Sequence, residues 1–310
     1  MVYLCKGNKY HRTASKKILK MHIAIFGNPS ASKVSGQEPG LFNRLHDLGH
    51  EIFIDSDYLE FLRDTMKWQV TFDSIIQSDD FQADIVISIG GDGTFLRTAA
   101  KIGQKSIPMI GINTGRLGFL ADVTLDSMDQ AIDMLHSGRY TIQERHLLEL
   151  DMKGMPAGHT PYALNDIAIL KHDISSMISI STSIGDNQLI TYQADGLVIA
   201  TSTGSTAYSL SVGGPIVAPG TNVTVLTPVA PHSLTMRPLV LPANQTIKFD
   251  VGSRSHSFLL SIDGNSFSCH EHTPIEIRRA PFTLHVIRLE GSSFYATLQQ
   301  KMFWGSDSRR

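Results

Sequence analysis

The stretch ISIGGDGTFLRTAA (Ile87–Ala100) passes from an apolar, strand-like segment through Gly90, Gly91 and Gly93 into a helix-like one, with a single carboxylate, Asp92, set in the turn. A strand that enters a glycine-rich turn and then a helix is built to hold phosphate. The glycines let the backbone approach closely, and amide donors and the helix dipole favour an anion. GGDGT is neither the G-x-G-x-x-G dinucleotide fingerprint nor the G-x-x-x-x-G-K-[ST] P-loop. Two readings of Asp92 stand at this point. It caps the helix as any short acid can, or Thr94 caps it and Asp92 is free for chemistry on a phosphate-bearing ligand.

Outward from this turn, short apolar runs alternate with helix-like spacers. MHIAIFG (21–27), HEIFID (50–55), ADIVISIG (83–90) and IPMIGIN (107–113) read as strands, and Leu41, Leu45 and Leu48 mark one face of a helix. ADIVISIG is apolar almost throughout, as in a parallel strand covered on both faces. The alternation predicts βαβ units and a parallel, Rossmann-like sheet. After about residue 145 the pattern becomes a series of short β-rich segments, among them GLVIATS, NVTVLTPV, QTIKFDV and FTLHVIRL, which predict an antiparallel, sandwich-like domain. Phe294, Leu298 and Met302 share one face of a helix in SSFYATLQQKMFW. The expected organisation is a loose basic tail over 1–20, an α/β domain over 21–145 and a β-rich domain over 146–310 that ends in a helical segment. Met21, which opens the first strand, is read as the start of the folded protein.

The chain has 310 residues, 42% hydrophobic and 18% charged, as in an ordinary globular protein. Its 27 Lys and Arg against 29 Asp and Glu give a net charge of -2, which offers no electrostatic case for nucleic acid. No apolar run approaches the roughly 20 residues of a membrane-spanning helix. The first twenty residues lack the apolar core of a secretory signal. Cys5 and Cys269 form no CxxC pair, so a disulfide scaffold or cysteine-rich zinc site is not expected and a reducing cytoplasm is.

Two further stretches carry chemistry. DGLVIATSTGSTAYSLSVGGP (195–215) follows a strand with small and hydroxyl-bearing residues, which let a ligand lie against backbone and meet neutral donors and acceptors. Read alone, it is equally a Ser/Thr-rich hairpin. LNDIAIL (164–170) sets an amide and a carboxylate, Asn165 and Asp166, at the mouth of a strand, where they match adjacent ribose hydroxyls or simply a turn. CHEH (269–272) looks metal-like, with His270 and His272 expected on one strand face, but no further ligand lies at suitable spacing. His232 is a loop histidine with either a packing or a phosphate role.

Taken together, GGDGT (90–94), LND (164–166) and DGLVIATSTGSTAYSLSVGGPI (195–216) resemble the three signatures of the NAD kinases, in order. APHSLTMRPLVLP (230–242) and SIDGNSF (261–267) are similar to later landmarks of that family, and the resemblance spans roughly 21–304. It implies transfer of the terminal phosphoryl of ATP to the 2′-hydroxyl of the adenosine ribose of NAD, giving NADP, with Asp92 as proton acceptor and Gly93 beside the substrate. Arg97 is similar to the family's basic residue after the motif. Asn165 and Asp166 would hold the adenosine portion of NAD, and Asp195 would lie near the dinucleotide. Thr206, Ala207, Tyr208, Ser209, Leu210 and Ser211 would line its pocket, joined by Ala230 and Asn265. Asp166 is shorter than the glutamate many members carry there, and the basic residue common near Ser176 has its nearest counterpart in Lys171. The resemblance also implies a divalent metal, usually magnesium travelling with the nucleotide, a homo-oligomer (dimer or tetramer) and a cytoplasmic location. A lipid kinase of the wider superfamily and a non-catalytic dinucleotide sensor are the competing readings.

Overall fold

The computed structural model describes residues 20–29, 36, 38–115, 118–173 and 176–302. The expected N-terminal tail, apart from Lys20, lies outside them. The first part of the chain forms β1 (His22–Gly27), α1 (Glu38–Asp47), β2 (Glu51–Asp55), α2 (Ser56–Glu60) and β3 (Ser74–Ile76). It continues with β4 (Ile85–Ile89), α3 (Asp92–Ile102), β5 (Met109–Asn113), β6 (Val123–Thr124) and α4 (Met128–His136). The strands pair in parallel in the order β5-β4-β1-β2-β3, with Ile25 opposite Ile87 on one side and Ile54 on the other.

Alternation along these strands divides the core between the two faces of the sheet. Ile23, Ile25, Ile85, Ile87 and Ile89 pack against Leu41, Phe42 and Leu45 of α1 and Ile132 and Leu135 of α4. The intervening Ala24, Phe26, Val86 and Met109 pack against Phe95, Ala99 and Ile102 of α3. Both β4 and β5 are buried at every position, which is why they read as continuous apolar runs. The GGDGT turn therefore sits at the carboxyl end of a central parallel strand, where open α/β sheets place their ligands.

The second part contains β7 (Tyr140–Met152), β8 (Tyr162–Ala163), β9 (Asp166–Lys171), β10 (Ile178–Ile184), β11 (Asn187–Ala194) and β12 (Gly196–Thr201). A single-turn α5 (Tyr208–Ser211) follows, then β13 (Val223–Val229), β14 (Leu239–Pro242), β15 (Ile247–Gly252) and β16 (Ser257–Ile262). The last elements among the described residues are β17 (Asn265–His270), β18 (Ile275–Leu289) and α6 (Phe294–Met302). One antiparallel sheet runs β14-β13-β12-β9-β16-β17; the other strands extend the parallel sheet as β11-β10-β15-β18-β5, with β7 antiparallel to β18. Ile167, Ile169, Leu197, Ile199 and Leu260 of the six-stranded sheet bury against Ile180, Phe249, Val251 and Ile277 of the other. That interface is the sandwich the alternating segments predict.

Residue 145 falls inside β7, and β18 meets β5 where Val286 pairs with Met109. The change from parallel to antiparallel pairing thus occurs within one continuous sheet. CHEH needs a correction. β17 stops at His270, so His272 does not share its strand face. Glu271 pairs with His256, and His272 Nδ1 lies 2.9 Å from Asp250 Oδ1. Among the described residues no helix is long and apolar enough to cross a membrane.

Candidate active site

Asp92 is the first helical residue of α3, and Gly91 before it occupies the capping position without any side-chain cap bond. Asp92 is not a helix cap. Its carboxylate instead reaches the loop after β5, where Oδ2 accepts the Phe119 amide at 3.0 Å and Oδ1 accepts the Leu120 and Ala121 amides at 3.0 and 3.1 Å. Gly118 makes this approach possible, since a Cβ there would lie 2.7 Å from Asp92 Cγ and overlap Oδ1. Gly90 makes the turn itself possible: its φ of +148° suits glycine, and a Cβ would collide with Thr94. From the far end of the chain, Lys301 of α6 brings Nζ to 3.6 Å from Asp92 Oδ2 and 4.4 Å from the centre of the Phe119 ring. Gly93 is exposed, with open space where a side chain would stand. Arg97 is exposed one turn later and donates to Asn28 Oδ1 at 3.2 Å and Thr94 Oγ1 at 3.3 Å.

The second group forms where β9 begins and β12 and β16 end. Asp263, in the turn between β16 and β17, accepts the Leu164 amide through Oδ2 at 2.7 Å, and the Asn165 and Asp166 amides through Oδ1 at 2.8 and 3.0 Å. Three amides fix the LND backbone and favour an ionised Asp263 against the burial that pushes its carboxyl up. Asp166 beside it is 6% exposed. Desolvation, reinforced by the charge of Asp263, pushes its carboxyl up to about 7, against one stabilising bond from the Tyr208 amide. The Tyr208 phenol is raised as well, first by burial and then by Asp166 and Asp195. Asp195 ion-pairs with Lys171 at 2.8 Å. Asn165 Oδ1 is buried without a partner among the described residues, an arrangement proteins rarely leave unsatisfied. Gly204 lies directly on this backbone, since a Cβ there would come 2.6 Å from Asn165 Cα.

The structure thus brings Asn165, Asp166 and the Tyr208 backbone together at the start of β9, whereas Asp195 sits beside Lys171 at the other end of that strand, its charge felt by the Tyr208 phenol. The glycine-hydroxyl turn divides its side chains. The Ser209 hydroxyl is fully buried against Thr227 Oγ1 at 2.8 Å, and Thr206 Oγ1 donates to the Thr203 carbonyl at 3.4 Å. Ala207 and Leu210 are half-buried, and Tyr208 and Ser211 are exposed. Ala230 is exposed after β13 with φ +44°. Asn265, across the turn that carries Asp263, lines a second cavity of about 300 Å³ with Lys101 and His159. His232 is exposed, its backbone amide donating to Gln193 O at 2.8 Å. Phe95, Leu120 and Leu164 share one apolar cluster, which ties the loop holding Asp92 to the segment holding Asp166.

Sequence reasoning missed Gly118, Asp263 and Lys301. Asp263 lies within SIDGNSF, but the signal there pointed to Asn265. Gly118 and Lys301 become partners of Asp92 only through folding, 26 and 209 residues along the chain.

Residues 23–140 match the ATP-NAD kinase N-terminal domain and residues 164–289 the ATP-NAD kinase C-terminal domain, on either side of most of β7. The chain belongs to the NAD kinase family. The NAD kinase of Bacteroides fragilis is 50% identical over 289 residues, covering 93% of this chain and 100% of that protein. The NAD kinase of Porphyromonas gingivalis is 44% identical over 288 residues, covering 93% and 99%. In fold, the kinase is similar to the crystal structure of yeast NADH kinase complexed with NADH, at TM-score 0.80 and 24% identity over 93% of this chain and 89% of that one. An NAD kinase from Archaeoglobus fulgidus in complex with ATP gives TM-score 0.71 and 23% identity, over 91% and 99%.

Proposed function

We propose that Asp92 accepts the proton of the adenosine 2′-hydroxyl of NAD while the terminal phosphoryl of ATP passes to that oxygen. As a member of the NAD kinase family the chain is a phosphotransferase that makes NADP from NAD and ATP. In the transfer, the bond from the terminal phosphorus to the ADP oxygen breaks and one to the ribose oxygen forms. The hydroxyl proton leaves for a nearby carboxylate, and ADP departs. The observation that carries the assignment is the anchoring of Asp92 by three amides of the 119–121 loop. A carboxylate has about four lone-pair directions; three are committed, which fixes its orientation and leaves acceptor capacity on Oδ2 for a hydroxyl.

Asn165 and Asp166 are the residues we assign to the ribose hydroxyls. The unpartnered Asn165 Oδ1 supports this, as does an Asp166 poised between charged and neutral near pH 7. Asp195, Tyr208 and the turn through Ser211 continue the same surface for the rest of NAD, with Gly93 and Arg97 flanking Asp92. A divalent ion, magnesium by chemistry, fits as a passenger on the nucleotide phosphates. Among the described residues no group of three or more His, Cys, Asp or Glu forms a cage, and Mg²⁺ commonly keeps waters and substrate phosphates as ligands. Bound there, it would offset phosphate charge.

Two domains, 21–145 and 146–310, and assembly as a dimer or tetramer complete the reading. Exposed Leu189 and Ile190 on the edge strand β11, with Leu234 at 90% exposure, support the assembly. The buried, unpaired Cys269 accords with a cytoplasmic setting. The test is purified protein with NAD, ATP and Mg²⁺, read by NADP formation. A folded protein that binds NAD and forms no NADP overturns the catalytic reading in favour of a dinucleotide sensor.

A further inference from the structure

A cavity of about 500 Å³ is lined by Phe119, whose amide bonds Asp92, and by Phe294, Tyr295 and Thr297 of α6. That size falls within the roughly 300–1,000 Å³ usual for small-molecule sites. Its wall is cationic and hydroxylic: Arg145 of β7, Arg288 of β18, Thr141, Ser292, Ser293 and Thr297. Arg288 is matched by Asp122, 2.6 Å away. Arg145 has no direct ion pair among the described residues and only shares the more distant charge of that same Asp122. It is 5% exposed, its Nη1 and Nη2 donate only to neutral oxygens of Thr203 and Gln143 at 3.2 and 3.0 Å, and its Nε is buried without a partner among the described residues. Two arginines against one aspartate leave one positive charge uncompensated in a desolvated wall. Buried charges are ordinarily paired, and here burial together with Arg288 pulls the guanidinium down to about 10.

We propose that this cavity is an anion site for a polyphosphate chain, with Arg145 as its buried cation, so that the donor's phosphates enter beneath α6 and meet Asp92 at Phe119. The proposal rests on the phosphotransferase reading above and names the donor side of that site. Two features make the chain the fitting occupant rather than a single small anion. At about 500 Å³ the cavity has room for several linked phosphates, and its lining combines Arg145 and Arg288 with the hydroxyls of Thr297 and Ser293. Its lining includes Phe119, the residue whose amide holds the proton acceptor, with Lys301 as a third cation over the same ring. Arg145 also bonds Thr203, within the turn assigned to NAD, so an anion drawn to Arg145 lies beside the acceptor and not on it.

The probe is inorganic tripolyphosphate, with ATP, AMP and NAD alongside it. The expected result is that tripolyphosphate raises the Tm of the wild-type protein and inhibits competitively against ATP but not against NAD. AMP, which lacks the chain, has little effect. A larger shift with ATP than with tripolyphosphate assigns the site to a nucleoside triphosphate; equal shifts assign it to the phosphate chain alone. Arg145→Met should abolish the tripolyphosphate shift and raise the KM for ATP about 10–100-fold, as expected for a lost charge-assisted hydrogen bond, with the KM for NAD within about 2-fold. Should Arg145→Met not fold, Ser292→Glu at the exposed rim places a carboxylate in the mouth and should weaken both tripolyphosphate and ATP. A folded Arg145→Met or Ser292→Glu protein that keeps the wild-type tripolyphosphate response overturns the proposal, as does tripolyphosphate competing with NAD. If tripolyphosphate binds through Arg145 and no NADP forms, the phosphotransferase reading fails and the anion site stands.

Discussion

Gly118 and Asp92 touch across the gap between two loops, so closely that residue 118 has no room for a β-carbon beside the Asp92 carboxylate. The contact connects a conformationally simple residue to the proposed chemistry, because the amides of Phe119, Leu120 and Ala121 reach Asp92 only if Gly118 lets the loop lie flat on it. Gly118→Ala should displace the carboxylate or the loop by about an ångström. Misplacement on that scale costs on the order of 10²-fold in turnover, whereas NAD binding, centred on Asp166, should change little. Steady-state NADP formation and NAD affinity on the same protein check this, and near-parental turnover would show that the anchoring is incidental.

The carboxyl of Asp166 carries a pH signature. Its folded-state value, about 7, lies above the ordinary 3.8, so between these limits the folded protein holds a proton that the unfolded chain has lost. The stability contributed by this group is complete below about pH 4 and is lost as pH rises through 7, by on the order of a few kcal/mol. Asp166→Asn removes the penalty of charging. The unfolding free energy of the variant minus that of the parent should grow from pH 5 to about 7.5 and then level off. A difference that stays flat across that range in urea titrations contradicts the assignment.

The same Asp166 should matter to the ligand. Asp166→Ala deletes a hydrogen-bonding group to ribose and should weaken NAD binding about 10–100-fold, the usual worth of a bond to a charged group. Unchanged NAD affinity in a folded variant would rule out direct contact.

The parallel sheet was readable because both faces of β4 and β5 are covered, which leaves apolar runs such as IVISI that no half-exposed strand would carry. The alternation in KFDV was equally plain, with Phe249 and Val251 turned into the sandwich and Lys248 and Asp250 outward. The joining of the two halves through Val286 and Met109 left no mark, because strand pairing at that sequence separation has no local pattern. Within the site, the motif residues could be named from their glycines and acids. The bonds that orient them could not, since Phe119 and Leu120 contribute backbone amides that no side-chain pattern records.

Lys301 ties the C-terminal helix to the chemistry. Its ammonium faces Asp92 Oδ2 at 3.6 Å and the Phe119 ring, where negative charge accumulates when a phosphoryl group arrives. Lys301→Met keeps the aliphatic stem and deletes the charge. Turnover should fall about 10-fold, the equivalent of 1.4 kcal/mol of transition-state interaction, with Tm nearly constant because the side chain is a third exposed. A fall in Tm matching the loss of activity would assign Lys301 to packing instead.

Asp92→Asn separates the roles that a carboxylate at this position can play. The amide side chain has the same shape and one carbonyl oxygen, so it can still accept one or two of the 119–121 amides, but its NH₂ group meets the others donor to donor. Some loss of stability, about 1–3 kcal/mol, is expected from that mismatch. A helix-capping role predicts no such loss, because Asn caps as well as Asp, and the structure already places the cap at Gly91. General-base loss predicts something further, a fall in turnover of about 10²–10⁴-fold with NAD affinity nearly unchanged. The two effects are separable when turnover is measured well below the variant's Tm, where the protein is folded. Asp92→Glu supplies the control: it restores a proton acceptor but pushes it into Gly118, so it should regain little activity and lose more stability than Asn. If Asp92→Asn retains turnover within a few-fold of the parent, the carboxylate only holds the loop, and the proton must leave by another route.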